Sequence, residues 1–197
     1  MSHYILLIQA LILLVAPISA AAATIEGSVS ARRAKYRQNV VVYVDALEGQ
    51  TFTAPKDPVL MDQINFVFTP HVVPVIAGTT VDFQNSDAVL HNVYTPDKVA
   101  GKFNLGTWGK GEKRSFTFEQ TGSAVILCNV HPEMEAYVVV VPTPYFATTD
   151  KEGAFKIEGV PPGEYTVKVW HEKWKSEPQA VTVSDAAPAA LSFTLKK

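Results

Sequence analysis

The chain holds one cysteine in 197 residues. No disulfide can form within it, and no site can draw two thiolates from it. Basic excess is also lacking, with 17 Lys and Arg against 19 Asp and Glu and a formal net charge of −2. A nucleic-acid binder needs such an excess to neutralise phosphates, so that class is excluded. Charged residues make up only 18% of the chain, and the densest basic group is Arg32, Arg33, Lys35 and Arg37. Methionine is sparse as well, at three residues including Met1, which argues against the Met-rich tracts of a copper storage or delivery chain. No apolar run reaches the ~20 residues that a membrane span needs. After residue 24 almost no stretch repeats with helical period.

Hydrophobic residues make up 47% of the chain and aromatics 10%, enough for a real core. The apolar run Ile5–Val15, interrupted by Gln9, is followed by Pro17 and then by Ser19-Ala20-Ala21-Ala22-Ala23. An apolar core of this length before small residues reads as a secretory signal, residues 1–23, cleaved between Ala20 and Ala23. The mature chain is then expected in the periplasm or outside the cell, with no membrane span, in an oxidising compartment where a lone Cys needs a reason.

Beyond the signal, short β-branched and aromatic runs recur between Gly, Pro, Asn and Asp. They are Thr24–Ser28, Asn39–Val44, Ile64–Phe68, Val75–Phe83, Ser115–Phe118, Ala124–Cys128, Ala136–Val141, Ala154–Ile157, Glu164–Trp170, Ala180–Val183 and Leu191–Leu195. Phe116/Phe118, Tyr165/Val167/Val169 and Val181/Val183 each put one residue type on one face. The fold class is therefore all-β, of sandwich type. Polar, Pro-containing Leu47–Pro58 and the break Val141-Pro142-Thr143-Pro144 bracket a middle segment. That segment, Val59–Val141, holds eight acidic and five basic side chains, so the acidic excess sits there.

The chemistry concentrates in Cys128-Asn129-Val130-His131-Pro132-Glu133-Met134, a loop between two strongly β runs. A second imidazole, His91, stands at another polar-to-β transition. A soft sulfur, two imidazoles and a weak thioether are the ligand set of a blue-copper site. A lone Cys-x-x-His is weak evidence, because a free Cys is commonly a small buried hydrophobe and Met commonly core. Here, however, the Cys is unique in a secreted chain, and His and Met follow it at three-residue steps. Zinc also takes Cys and His, but it would normally want a fourth strong ligand, such as Glu133, rather than Met134. His71 reads as an ordinary packed or surface histidine. His171 lies between Trp170 and Trp174, which could form a sugar platform but at least one of which reads as sandwich core.

Asp82-Phe83-Gln84-Asn85-Ser86-Asp87, His91-Asn92-Val93 and Cys128-x-x-His131-Pro132-x-Met134 together resemble a cupredoxin of the plastocyanin and amicyanin branch. The resemblance covers residues 59–142 and implies a Greek-key β-sandwich holding one type 1 copper through His91, Cys128, His131 and Met134. It implies that Asn92 pins the ligand loop by hydrogen bonds from behind. Relatives usually carry Pro two residues after the Cys, where this chain has Val130. Its backbone N–H, which Pro lacks, is expected to give the sulfur a second hydrogen bond.

Thr148–Ile157 with Val160-Pro161-Pro162-Gly163-Glu164-Tyr165-Thr166-Val167 is similar to the carboxypeptidase regulatory-like domain, a small transthyretin-like β-sandwich. The opening strands of that family resemble Ile25–Val29 and Asn39–Val44, far upstream. Residues 24–58 and 143–197 are then two parts of one sandwich, with the cupredoxin inserted in it or joined to it. Insertion at a surface connection is tolerated because domain ends lie close together. This combination resembles periplasmic proteins grouped as methylamine-utilisation-like.

The implied function is an electron carrier, not an enzyme, passing single electrons through His131 to a periplasmic cytochrome or dehydrogenase. Four His remain after the signal, too few for a trinuclear oxidase centre beside this site. The alternative is a periplasmic copper-binding or carbohydrate- or protein-binding module without redox turnover.

Overall fold

The computed structural model describes residues 23–197, so the expected signal segment lies outside the described residues except for Ala23. In chain order the strands are β1 Ala23–Ser30, β2 Val41–Val44, β3 Val59–Ile64, β4 Val67–Thr69, β5 Val72–Ile76, β6 Thr79–Asn85, β7 His91–Tyr94, β8 Asn104–Trp108, β9 Lys113–Phe118, β10 Gly122–Leu127, β11 Glu135–Val141, β12 Phe146–Thr148, β13 Ala154–Val160, β14 Gly163–Trp170, β15 Gln179–Val183 and β16 Ala189–Thr194. Among the described residues, helix is limited to two single 3₁₀ turns. No described helix is long and apolar enough to cross a membrane.

The strands form four sheets, ordered β5-β11-β10-β7-β8, β4-β3-β6-β9, β12-β2-β14-β15 and β13-β1-β16. The first two face each other over a core of Met61, Phe83, Trp108, Phe118, Ile126 and Val138. The last two enclose Ile25, Val42, Ile157, Val167 and Phe193. The chain leaves the second sandwich after Val44 and returns beside the same residue. Val44 N–H donates to the Tyr145 carbonyl at 2.9 Å, and the Thr143 hydroxyl donates to the Val44 carbonyl at 2.8 Å. Tyr43 then pairs with Phe146 across β2 and β12.

A third apolar layer joins the sandwiches. Val72 and Ile76 of β5, Val139 and Val141 of β11, and Val41 of β2 meet there with Tyr43, Tyr137 and Trp170. Side chains alternate across a strand, so β11 sends Val138 and Val140 into the first core and Val139 and Val141 into the seam. Burial on both faces explains why Ala136–Val141 is apolar without interruption.

Two expected runs are divided by turns. Ile64–Phe68 is the end of β3, a hairpin turn and the start of β4, because Asn65 and Phe66 both take positive φ, 56° and 61°. That is the backbone a two-residue turn matching strand twist requires, here without glycine. Val75–Phe83 breaks between β5 and β6 at Gly78, whose φ is 85°.

In the parallel β1–β16 pair, Gly27 lies opposite Leu191. A Cβ at Gly27 would sit 1.9 Å from the Leu191 carbonyl oxygen, a backbone atom that cannot rotate away. Gly27→Ala is therefore expected to destabilise the protein by about 3 kcal/mol, read by urea unfolding; stability within about 0.5 kcal/mol of the parent would show that β1 and β16 can separate freely.

Candidate metal centre

His91 opens β7 and is fully buried, while Cys128 follows the last residue of β10 and is 3% exposed. Leu127, just before the Cys, pairs with both Tyr94 of β7 and Glu135 of β11, so neighbouring strands fix where the loop starts and ends. Within the loop, Met134 N–H donates to the His131 carbonyl at 3.0 Å, closing a tight turn. The Cys128 sulfur and one ring nitrogen from each of His91 and His131 all lie within 4.8 Å of one another. Met134 is 1% exposed and belongs to the same apolar cluster as Cys128.

The two histidines face each other through Nδ1 atoms 3.0 Å apart. The other ring nitrogen of His91 is engaged, because Nε2 lies 2.9 Å from the Asp87 carboxylate. A carboxylate can only accept, so Nε2 carries the hydrogen and the Nδ1 of the neutral ring offers a bare lone pair. The same carboxylate also takes the backbone N–H groups of Asn65 at 2.7 Å and Phe66 at 3.0 Å. Burial alone would raise the Asp87 carboxyl, but hydrogen bonds from Phe66, His91 and Asn65 outweigh it and hold it below its ordinary range. The hairpin tip thus pinned sets the Phe66 ring edge-on against His131 and His91, at centroid distances of 4.9 and 5.8 Å.

Asn92 links three pieces of chain behind the site. Its side-chain amide donates to Asn104 Oδ1 at 2.9 Å and to the Gly106 carbonyl, and its Oδ1 accepts the Asn129 N–H at 3.3 Å. Its own backbone N–H donates to the Cys128 sulfur at 3.4 Å. Among the described residues this is the hydrogen bond the sulfur accepts. The second one expected from Val130 is not made, and Val130 is instead 46% exposed.

The donor chemistry fits copper. The group joins a soft sulfur to two imidazoles, and among the described residues no carboxylate completes it, Glu133 being exposed. A closed zinc site would use a fourth strong ligand. His71 lies elsewhere, with its Nε2 3.2 Å from Glu172. His171 is also apart, its Nδ1 accepting the N–H groups of Lys173 and Trp174. The supporting roles of Asp87 and Phe66 do not show in the sequence. Asp87 stands four residues before His91, but that spacing has no meaning outside a helix, and Phe66 is hidden in an apparent strand.

Residues 58–141 match the family model of copper binding proteins, plastocyanin/azurin family. Residues 131–196 match the carboxypeptidase regulatory-like domain. The two matches overlap at 131–141, where β11 pairs with β10 and β5 of the first sandwich. Among solved structures, a reduced amicyanin variant shares 27% identity over 44% of this chain and 84% of that chain, with a TM-score of 0.41. Amicyanin from Paracoccus versutus (Thiobacillus versutus) shares 25% over 50% of this chain and 96% of its own, at 0.40. A purple cupredoxin from Nitrosopumilus maritimus shares 24% over 42% and 98%, at 0.38. No curated protein matches the chain. The chain is all-β, with one segment similar to the plastocyanin/azurin family of copper binding proteins and one similar to the carboxypeptidase regulatory-like domain.

Replacing Asp87 by Asn keeps its size but removes one acceptor oxygen and turns an NH₂ toward N–H donors. Asp87→Asn is expected to cost about 1–3 kcal/mol in the metal-free protein, measured by urea unfolding. No loss would mean that the carboxylate does not hold the hairpin tip to His91.

Proposed function

We propose that this chain is a periplasmic or secreted type 1 copper protein that carries single electrons between redox partners. One copper would be held by His91, Cys128 and His131, with Met134 as the weak fourth ligand. The observation that carries this reading is the convergence of Cys128 Sγ and the two imidazoles within 4.8 Å in a largely buried pocket. Copper bound there supplies a one-electron couple between Cu(I) and Cu(II).

The protein's own groups do the rest. Asp87 holds the proton on His91 Nε2 and so keeps Nδ1 available. Asn92 supports the sulfur and anchors the residue after it. Apolar walls exclude water from Cys128 and Met134. A frame built of strands changes little when the charge at its centre changes by one, which suits repeated electron transfer. His131 is only partly buried, and exposed Phe66, Val67, Val89, Leu90 and Val130 lie on the hairpin and loops that surround the two histidines. An apolar surface of this kind suits brief docking of a redox partner such as a periplasmic cytochrome or dehydrogenase, because transient encounters bury little area.

The strand pairing supports a division into two modules. Residues 59–142 form the copper module, nested between residues 24–58 and 143–197 of the second sandwich. The reading is of a carrier rather than an enzyme. The alternative of a carbohydrate module is disfavoured by where the tryptophans point. Trp170 packs on Tyr137 at 5.3 Å and Trp174 on Tyr36 at 5.4 Å, so protein contacts take up both. The secretory location rests on the apolar and small-residue pattern of residues 1–23.

Purified mature protein is expected to bind one Cu(II) with an intense visible thiolate band, and Cys128→Ser to abolish that band. A colourless copper complex, or zinc bound in preference to copper by metal analysis, would overturn the reading.

A further inference from the structure

Glu135, the residue directly after Met134, is gripped from two sides. Its backbone carbonyl lies 3.1 Å from His71 Nδ1, and its carboxylate accepts the Tyr137 hydroxyl at 2.7 Å. Neither gripping side chain acts alone. His71 Nε2 lies 3.2 Å from the Glu172 carboxylate, and Tyr137 packs against Trp170 at 5.3 Å. Trp170 ends β14 of the second sandwich, and Glu172 sits in the turn after it. His71 and Tyr137 also hold each other, by an edge-on ring contact at 5.7 Å and by the Tyr137 N–H donating to the His71 carbonyl at 2.9 Å. Both ring nitrogens of His71 lie against oxygen atoms, the Glu135 carbonyl of the first sandwich and the Glu172 carboxylate of the second, so the ring spans the two.

We propose that the second sandwich positions the metal-binding loop of the first, with Glu172 and Trp170 acting through His71 and Tyr137 to fix Glu135 and, through it, the backbone at Met134. His71 is a positioning residue in this arrangement, not a ligand. The consequence for the metal rests on the copper reading above, while the mechanical coupling does not. The charged and titratable groups around His71 include Glu172, Glu133, Glu135, Tyr137, Lys35, Tyr36, His171 and Lys173, whose ammonium pairs with Glu172 at 3.0 Å. Through this coupling the second sandwich stiffens the loop where it joins β11.

The test uses the full mature chain with Glu172→Ala, His71→Phe, the double variant and, as control, exposed Glu177→Ala. Amide hydrogen exchange of the metal-free protein at Met134, Ala136 and Tyr137 is the first readout. Each single variant is expected to exchange about fivefold faster there, the size of one lost hydrogen bond. The double variant should be no faster than either single, because both remove the same link. The control should match the parent. The second readout is the visible band after Cu(II) addition, expected to shift in both single variants at unchanged copper stoichiometry. Parent-like exchange in Glu172→Ala, or single effects that simply add, would overturn the coupling. A parent protein that binds copper without a visible band would overturn the copper reading, and the exchange data would still decide the coupling. Glu172→Ala alters a turn outside both cores, so the test does not depend on His71→Phe folding.

Discussion

Strand β11 belongs to two hydrophobic layers at once, and the rest of the molecule is arranged around that constraint. Its even-numbered valines fill the first sandwich and its odd-numbered valines fill the seam with the second. On one edge it pairs with β10, which delivers Cys128; on the other it pairs in parallel with β5, which brings His71 to the seam. A strand so placed cannot slip by one residue, because a slip would exchange the faces and turn every valine into the wrong layer. The loop from Cys128 to Met134 hangs between β10 and this fixed strand. Its length and its two ends are therefore set before any metal arrives.

Within that frame two polar side chains set the candidate centre. Asp87 collects three donors on one carboxylate and so joins the β3–β4 hairpin tip to His91. Asn92 spends nearly all of its hydrogen-bonding capacity on Asn104, Gly106, Asn129 and the Cys128 sulfur. Satisfied polar groups of this kind are costly to leave half made, which makes the arrangement all-or-none rather than graded. Both lie next to the ligands in space, and each fixes the direction of a donor atom rather than adding one.

The sequence showed the donor set well and its supports poorly. Cys128, His131 and Met134 are legible because a loop between strands keeps them close in number, and His91 because it opens a β run. The contribution of Asn92 was visible only through resemblance to cupredoxins. The roles of Asp87 and Phe66 were not visible, because they depend on a hairpin whose turn, Asn65-Phe66, lacks the glycine that usually marks one. Alternation marked β14 and β15 of the second sandwich, while β12, Phe146–Thr148, was not among the expected runs. It misjudged β5 and β6, where two-sided burial made one long apolar run of two strands divided at Gly78. The expected bond from Val130 to the sulfur failed for a local reason. The loop turns that residue outward, and Asn92 approaches the sulfur from behind.

The nested path of the chain bears on how the two sandwiches influence each other. A module joined by one linker could swing about it; this one is tied at two adjacent points, beside Val44 and beside Tyr145. Two ties close together still leave a hinge, because they define an axis and not a plane. The seam around Val72, Val139 and Val41 removes that freedom by burying apolar surface off the axis. His71 with Glu172 and Tyr137 with Trp170 add contacts farther out, near the metal-binding loop. The His71–Glu172 contact is individually weak, since side-chain pairs near the surface contribute only about 0–1 kcal/mol, and the Tyr137–Trp170 contact continues the seam itself. Acting on a joint already restrained by the ties and the seam, however, they need only select among small displacements. That is the scale on which a loop carrying a buried sulfur and two facing imidazoles would respond.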